Sequence, residues 1–248
     1  MLLFCLLMVS LCVGPILGQQ QEQPYFIEKC PREEPVVNEC LLQSGNNLVQ
    51  FLRKGIPEIG ILEVEPVIVD EIGIALGGGP DGYRAVFRNI QAYGVSNLTI
   101  SHVRSDLDSY QFQFTIDIPR IRATAQYRSS GVLILVRASG AGDYWGEYNG
   151  VRAKIYLKGM PIVKKDGLHY LTIQQVKMDF NVKEIQMGVE NIAHGNSVIK
   201  AALNLFINSN SQELLKEMKP ALRSKLTAVI GQFMNRLLDK IPLEQWFY

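Results

Sequence analysis

Three histidines, four cysteines and a few paired carboxylates are the residues of this 248-residue chain whose types suit metal binding or nucleophilic catalysis. His102, His169 and His194 stand singly. None belongs to an H-E-x-x-H pair and none neighbours a cysteine, so a zinc site has no spacing to support it. No G-x-S-x-G elbow presents a serine nucleophile. Gly140-Ala141-Gly142 has the opening of a dinucleotide fingerprint but lacks its third glycine and a flanking βαβ pattern, and it reads as a turn. Asp106 with Asp108, and Asp70 with Glu71, read as solvated loop carboxylates. The expectation is a protein without catalytic residues, metal or cofactor.

Cysteine usage points to an address. Leu2 to Val13 is almost wholly apolar, and Gly14, Pro15 and Gly18 follow it. The run falls short of the ~20 residues of a membrane span and reads as the apolar region of a secretory signal over residues 1–18. Cys5 and Cys12 lie inside it. The remaining pair, Cys30 and Cys40, is then an even count in an oxidising compartment, where a disulfide is the default. Asn97-Leu98-Thr99 is an N-glycosylation sequon, expected at an exposed turn or strand end. A net charge of +1 and no basic run argue against nucleic acid. Lys164-Lys165 beside Val163 is the one hint of a membrane-facing tip, so membrane contact is left open.

These residues need elements to hold them, and a hydrophobic fraction of 47% with 20% charged residues is that of a folded chain. Leu41 to Lys54 has helical spacing and stops at Gly55 and Pro57. From Val67 to Val189 the period is two. Tyr110 to Ile118 alternates apolar with polar residues, and Pro119 is expected to end or kink that strand. Val151 to Lys158 and Val176 to Lys183 alternate in the same way. Turn chemistry at 77–82, 129–131, 140–143 and 165–167 joins them as antiparallel hairpins, giving a sheet with one apolar face. Ser197 to Asn208 reads as a short helix. A longer one begins at Ser211, with an apolar stripe and a kink or break expected at Pro220. Residues 19–248 form a single α+β domain on this reading: a curved antiparallel sheet around a long, apolar-striped helix.

The ordered elements resemble the insect takeout / juvenile hormone-binding protein family of secreted carriers. The resemblance runs from Cys30 and Cys40 through Gly55-Ile56-Pro57-Glu58-Ile59-Gly60-Ile61, Glu65-Pro66-Val67-Ile68 and Asn89-Ile90 with Tyr93-Gly94-Val95-Ser96. Ile118-Pro119, Gln126-Tyr127-Arg128 and Gly131 are similar to the family's central strands. Asn191 to Asn196 follows, and Asn204 to Asn210 resembles a turn region. Pro220, Ile241-Pro242 and Trp246-Phe247 complete it. Asn191-Ile192-Ala193 and Ser211 depart from the pattern and bear on ligand identity more than on fold.

The resemblance implies a helix wrapped by a strongly curved sheet (the TULIP-like arrangement) around an apolar tunnel. It also implies a small hydrophobic ligand: a juvenile hormone-like terpenoid, an isoprenoid or a fatty-acid-like molecule. A lipid-surface interaction protein of the same fold and an extracellular esterase are the alternatives. Expected tunnel-lining residues are Phe112, Phe114 and Ile116 on the clearest strand, Leu226, Ile230 and Phe233 on the long helix, and Phe51 with Leu52 near the disulfide. Ordinary core packing makes the same demand for apolar side chains at all eight. Tyr110, Tyr127, Tyr148 and Tyr156 are candidates for polar contacts to a ligand, by chemistry alone.

Overall fold

The computed structural model of the protein describes residues 24–76, 82–133, 136–137, 139–190 and 197–248. The leader at 1–18, most of the turn at 77–82, His194 and the Asn191 to Asn196 segment lie outside the described residues. In chain order the elements are α1 (Val36–Leu52), β1 (Val67–Leu76), β2 (Tyr83–Tyr93), β3 (Thr99–Asp106), β4 (Gln111–Ser130), β5 (Val132–Leu133) and β6 (Val136–Arg137). They continue with β7 (Gly140–Val163), β8 (His169–Glu190), α2 (Ser197–Ser209), α3 (Ser211–Leu238) and α4 (Leu243–Trp246).

One antiparallel sheet dominates, in the order β1-β2-β4-β7-β8, with β3 pairing the first half of β4. β5 and β6 make a separate small hairpin. Alternation carries each long strand: Val151, Ala153, Ile155 and Leu157 of β7 are buried while Arg152, Lys154 and Lys158 are exposed. Strands of 20, 24 and 22 residues in β4, β7 and β8 are long enough to coil strongly. Both outer strands of the curled sheet, β1 and β8, meet α3, so the helix closes the gap between the two edges. A long helix in the mouth of a curled sheet, as expected, is the result.

Pro119 does not end its strand. β4 runs through it, and the proline sits where β4 exchanges partners, with β3 pairing up to Asp117 and β2 taking over from Arg122. A residue without an N–H belongs at such a gap in the ladder. The β4–β7 register places Gly150, with φ +62°, opposite Pro119, and the β7–β8 register places Lys183 opposite Gly150. At this row the inward parity reverses together in three strands: Ile118 then Ile121, Tyr148 then Val151, Val182 then Ile185. The apolar face therefore stays inward across a bend that divides the sheet into two halves.

Three other expectations shift. α1 begins at Val36, five residues earlier than the expected Leu41, because its buried stripe starts with Val37 and continues through Ser44, Leu48 and Leu52. Gly140 to Asp143 is not a turn but the start of β7, where Gly142 pairs with Tyr127. α3 is continuous through Pro220. Pro220 and Lys216, whose carbonyl loses its partner, are both exposed, so water can satisfy that carbonyl.

Candidate ligand-binding interior

The inward side of the half-sheet next to α3 is built from β4, β7 and β8. Phe112, Ile118, Val151, Ala153, Ile155, Leu157, Met178 and Phe180 are buried there in one cluster. Against them pack side chains that keep part of their surface accessible: Phe114 and Ile116 on β4, and Leu222, Leu226, Ile230 and Met234 on α3. The α3 spacing of three and four residues puts one apolar stripe toward the sheet. Lys219 and Arg223, on the flank, reach Asp179 of β8 at 2.8 and 3.8 Å. The Lys219 ammonium beside Asp179 holds that carboxyl below its ordinary range.

Five of the eight expected lining residues thus converge: Phe112, Phe114, Ile116, Leu226 and Ile230. The other three, Phe51, Leu52 and Phe233, belong to a second cluster. That cluster joins α1 to the C-terminal end of α3 through Phe26, Ile27, Leu48, Ile56, Ile61, Leu237 and Ile241. Leu52 is fully packed within it. Cys30 and Cys40 form the expected disulfide at this end, with Cα atoms 5.6 Å apart. Asn97 is exposed at the end of a short 3-10 turn, Val95–Asn97.

Beyond the bend, the interior turns hydroxyl-rich. Tyr144 and Tyr148 point inward from β7 and meet oxygen to oxygen over Gly146, the residue between them. A Cβ at Gly146 would lie 2.7 Å from the Tyr144 hydroxyl and 2.9 Å from the Tyr148 ring. The Tyr144 hydroxyl also lies 3.5 Å from Met187 Sδ, and its ring meets Phe87 edge-on at 5.0 Å. Burial pushes the Tyr144 phenol well above its ordinary value, with the neighbouring Tyr148 adding to the effect. Burial also raises Tyr148, although the bond to Tyr144 opposes it. Tyr83 and Tyr127 are raised by burial too, and Tyr83 is hydrogen-bonded with Ser129.

Of the four tyrosines singled out from sequence, Tyr127 and Tyr148 face this space. Tyr110 occupies the β3–β4 turn with φ +51°. Tyr156 lies on the outer face, donating to Gln111 Oε1 at 2.8 Å. Tyr83, Tyr144 and Ser129 escaped sequence reasoning. The alternation Tyr144-x-Gly146-x-Tyr148 was a usable signal, obscured by reading the residues just before it as a turn. Among the described residues, every buried polar side chain other than the tyrosines is a serine: Ser44, Ser96, Ser105 and Ser129. Among the described residues, the interior offers buried hydroxyls and no buried charge.

Among the described residues, the histidines and paired carboxylates suited to chemistry lie outside this space. His102 is exposed on β3, and His169 Nδ1 contacts Glu244 Oε1 at 2.8 Å near the β7–β8 turn. Asp106 binds Ser109, and Glu71 pairs with Arg88 at 2.8 Å. Among the described residues no three His, Cys, Asp or Glu side chains converge on a metal position.

Comparison with known proteins agrees with this architecture. A chain described as circadian clock-controlled protein daywake from Drosophila yakuba is 22% identical over 252 residues, covering 98% of this chain and 96% of that protein. Its Drosophila melanogaster counterpart is 20% identical over 231 residues, covering 90% and 88%. The crystal structure of Epiphyas postvittana Takeout 1 superposes with a TM-score of 0.78 at 16% identity, covering 89% of this chain and 99% of that one. That likeness shows the curled-sheet fold. The family model for haemolymph juvenile hormone binding protein (JHBP) matches residues 3–248, and the chain belongs to that family.

Proposed function

We propose that the protein is a secreted carrier that encloses one small hydrophobic molecule between the curled sheet and α3. The observation that carries this reading is the partial accessibility of apolar side chains that face inward. Phe114, Ile116, Leu226 and Ile230 are enclosed by sheet and helix yet keep surface that a filled core would have covered. Removing roughly 300 Å² of a guest's apolar surface from water contributes about 7–8 kcal/mol gross. Ordering costs bring this into the micromolar to nanomolar range without a charged anchor. Secretion is supported by the apolar leader, the disulfide and the family's haemolymph description.

The hydroxyl group of residues beyond the bend narrows the guest. A carboxylate brought beside Tyr127, Tyr144 and Tyr148 would be desolvated with no buried cation among the described residues to balance it. An ester, ketone, ether or alcohol could accept or donate a single hydrogen bond there. The guest class is therefore an apolar chain ending in a neutral oxygen function.

Fluorescence titration of the delipidated protein with an apolar probe tests the reading. Phe112→Asp, with its charge placed inward, is expected to weaken the probe at least about tenfold, since an unpaired buried charge costs several kcal/mol. Lys154→Ala, on the outer face, is expected to leave binding unchanged. Equal losses in two folded variants would count against an internal site. Organic extraction of the secreted protein, with mass analysis of what is released, identifies the guest directly.

A further inference from the structure

The outward side of β3, β4, β7 and β8 presents a basic field that the interior does not explain. The register aligns Arg104, Gln113, Tyr156 and Lys177 in one row across four strands. Lys154 and Lys158 stand one outward position before and after Tyr156 on β7. Three strand spacings put Arg104 and Lys177 about 14 Å apart, and four residues put Lys154 and Lys158 about 13 Å apart. Those are the longest spans: Lys177, one strand and two residues from each of Lys154 and Lys158, lies about 8 Å from both, which matches the ~8 Å screening length, so neighbouring potentials overlap.

Two acidic neighbours on this face are already paired: Asp117 with Arg152 at 2.6 Å and Asp179 with Lys219 at 2.8 Å. Asp106, hydrogen-bonded by the Ser109 hydroxyl at 2.6 Å, keeps its charge, and the face stays basic on balance. Arg104, Lys154, Lys158 and Lys177 have no carboxylate in ion-pair range among the described residues. The Lys177 ammonium instead lies 5.8 Å from the Tyr156 ring centre. With a net charge of +1 for the whole chain, this concentration on one face is a strong asymmetry. The outward line on β7 then runs Lys154, Tyr156, Lys158, Met160 and ends at the hairpin tip. Met160 on this line is 45% exposed, and at the strand end Val163, on the alternate side of the ladder, is 64% exposed beside exposed Lys165 of the hairpin tip.

We infer that this face, with the hairpin tip at its end, docks on an anionic lipid bilayer. Basic side chains attract the charged surface over a Debye length, an amphipathic tyrosine suits the headgroup layer, and two exposed apolar side chains at one end can enter the acyl boundary. A polyanionic glycan matches the charges but gives Met160 and Val163 nothing to gain. The docking face is on the opposite side of the sheet from the interior and stands whatever the interior holds.

Co-sedimentation of the full chain with phosphatidylcholine vesicles, with and without phosphatidylserine, tests the assignment. Binding is expected only where phosphatidylserine is present, and it should fall steeply as salt rises. Each basic residue is worth about a fivefold change, so neutralising two should weaken binding about 25-fold and reversing them by more. Lys154→Glu with Lys158→Glu is the reversal variant, Lys154→Arg with Lys158→Arg should retain binding, and Val163→Asp should weaken it without altering the apolar-probe titration. Melting temperatures of these surface variants are expected to match the parent. Absence of vesicle binding, equal binding to both vesicle types, or unchanged sedimentation of the reversal variant overturns the proposal. So does retention on heparin without vesicle binding, which would assign the face to a sulfated glycan.

Discussion

A phenol buried against another phenol has one proton to give and a limited choice of acceptors. Tyr144 and Tyr148 share one hydrogen bond, and Met187 Sδ offers Tyr144 a second, weak acceptor. With Tyr144 as the donor of the shared bond, Tyr148 keeps its own proton and is the hydroxyl best placed to donate to a guest. Tyr148→Phe is expected to weaken an ester-bearing probe by about three- to tenfold while leaving a plain hydrocarbon probe unchanged, matching the loss of one neutral hydrogen bond of about 1 kcal/mol. Equal effects on both probes would remove the tyrosine from the site. The raised pKa values also set a direction: these phenols stay protonated in the folded state while the unfolded chain ionises near pH 10. The folded state then holds more protons, so their contribution is complete below that pH and is lost as pH rises above it. Of the four tyrosines suggested by sequence, Tyr127 and Tyr148 face the interior and Tyr110 and Tyr156 do not. Residue type is local, whereas which face a strand presents depends on a parity that reverses at Pro119 and Gly150.

Elements are fastened to one another by asparagine amides that imitate a strand. Asn235 of α3 accepts from Ile173 N–H at 2.7 Å and donates to the Ile173 carbonyl at 3.4 Å. Asn204 and Asn208 of α2 make the same double contact to Val189 and Met187, and Asn46 of α1 makes it to Ile100 of β3. The spacing works because four helical residues rise about 6.0 Å and two strand residues about 6.6 Å. Asparagines 204 and 208, within the short helix expected over Ser197 to Asn208, sit on α2 and blunt the exposed edge of β8. Asn235→Ala is expected to cost about 1–3 kcal/mol in urea unfolding, because both Ile173 backbone groups lose their partner in a part-buried position. Asn235→Asp, which keeps only the acceptor, should fall between. A cost indistinguishable from zero would mean that water replaces the amide freely. Periodicity predicted all three helices but could not assign these asparagines a partner 15 to 62 residues away.

At the scale of the molecule, closure depends on the two ends of the chain. Cys30 N–H donates to the Trp246 carbonyl at 2.8 Å, and Tyr248 N–H donates to the Cys30 carbonyl at 3.1 Å. The disulfide then ties this junction to α1, whose other side packs on β3. Replacing both cysteines by serine is expected to lower stability by about 2–3 kcal/mol, the chain-entropy value for so short a loop. Calorimetry of the double variant measures it, and an unchanged melting temperature would show that the backbone bridge to residues 246–248 holds the ends unaided.

The amino-acid pattern alone determined the period-two strands, the apolar stripe of the long helix, the cysteine pair and the order of elements, because each depends on neighbours a few residues apart. Only the tertiary structure decided that the sheet bends at one row of Pro119, Gly150 and Lys183, that α3 meets both of its edges, and that lysines from adjacent strands gather on the outer face. Those outcomes are set by long-range register and strand coiling, which bring together residues far apart in the chain.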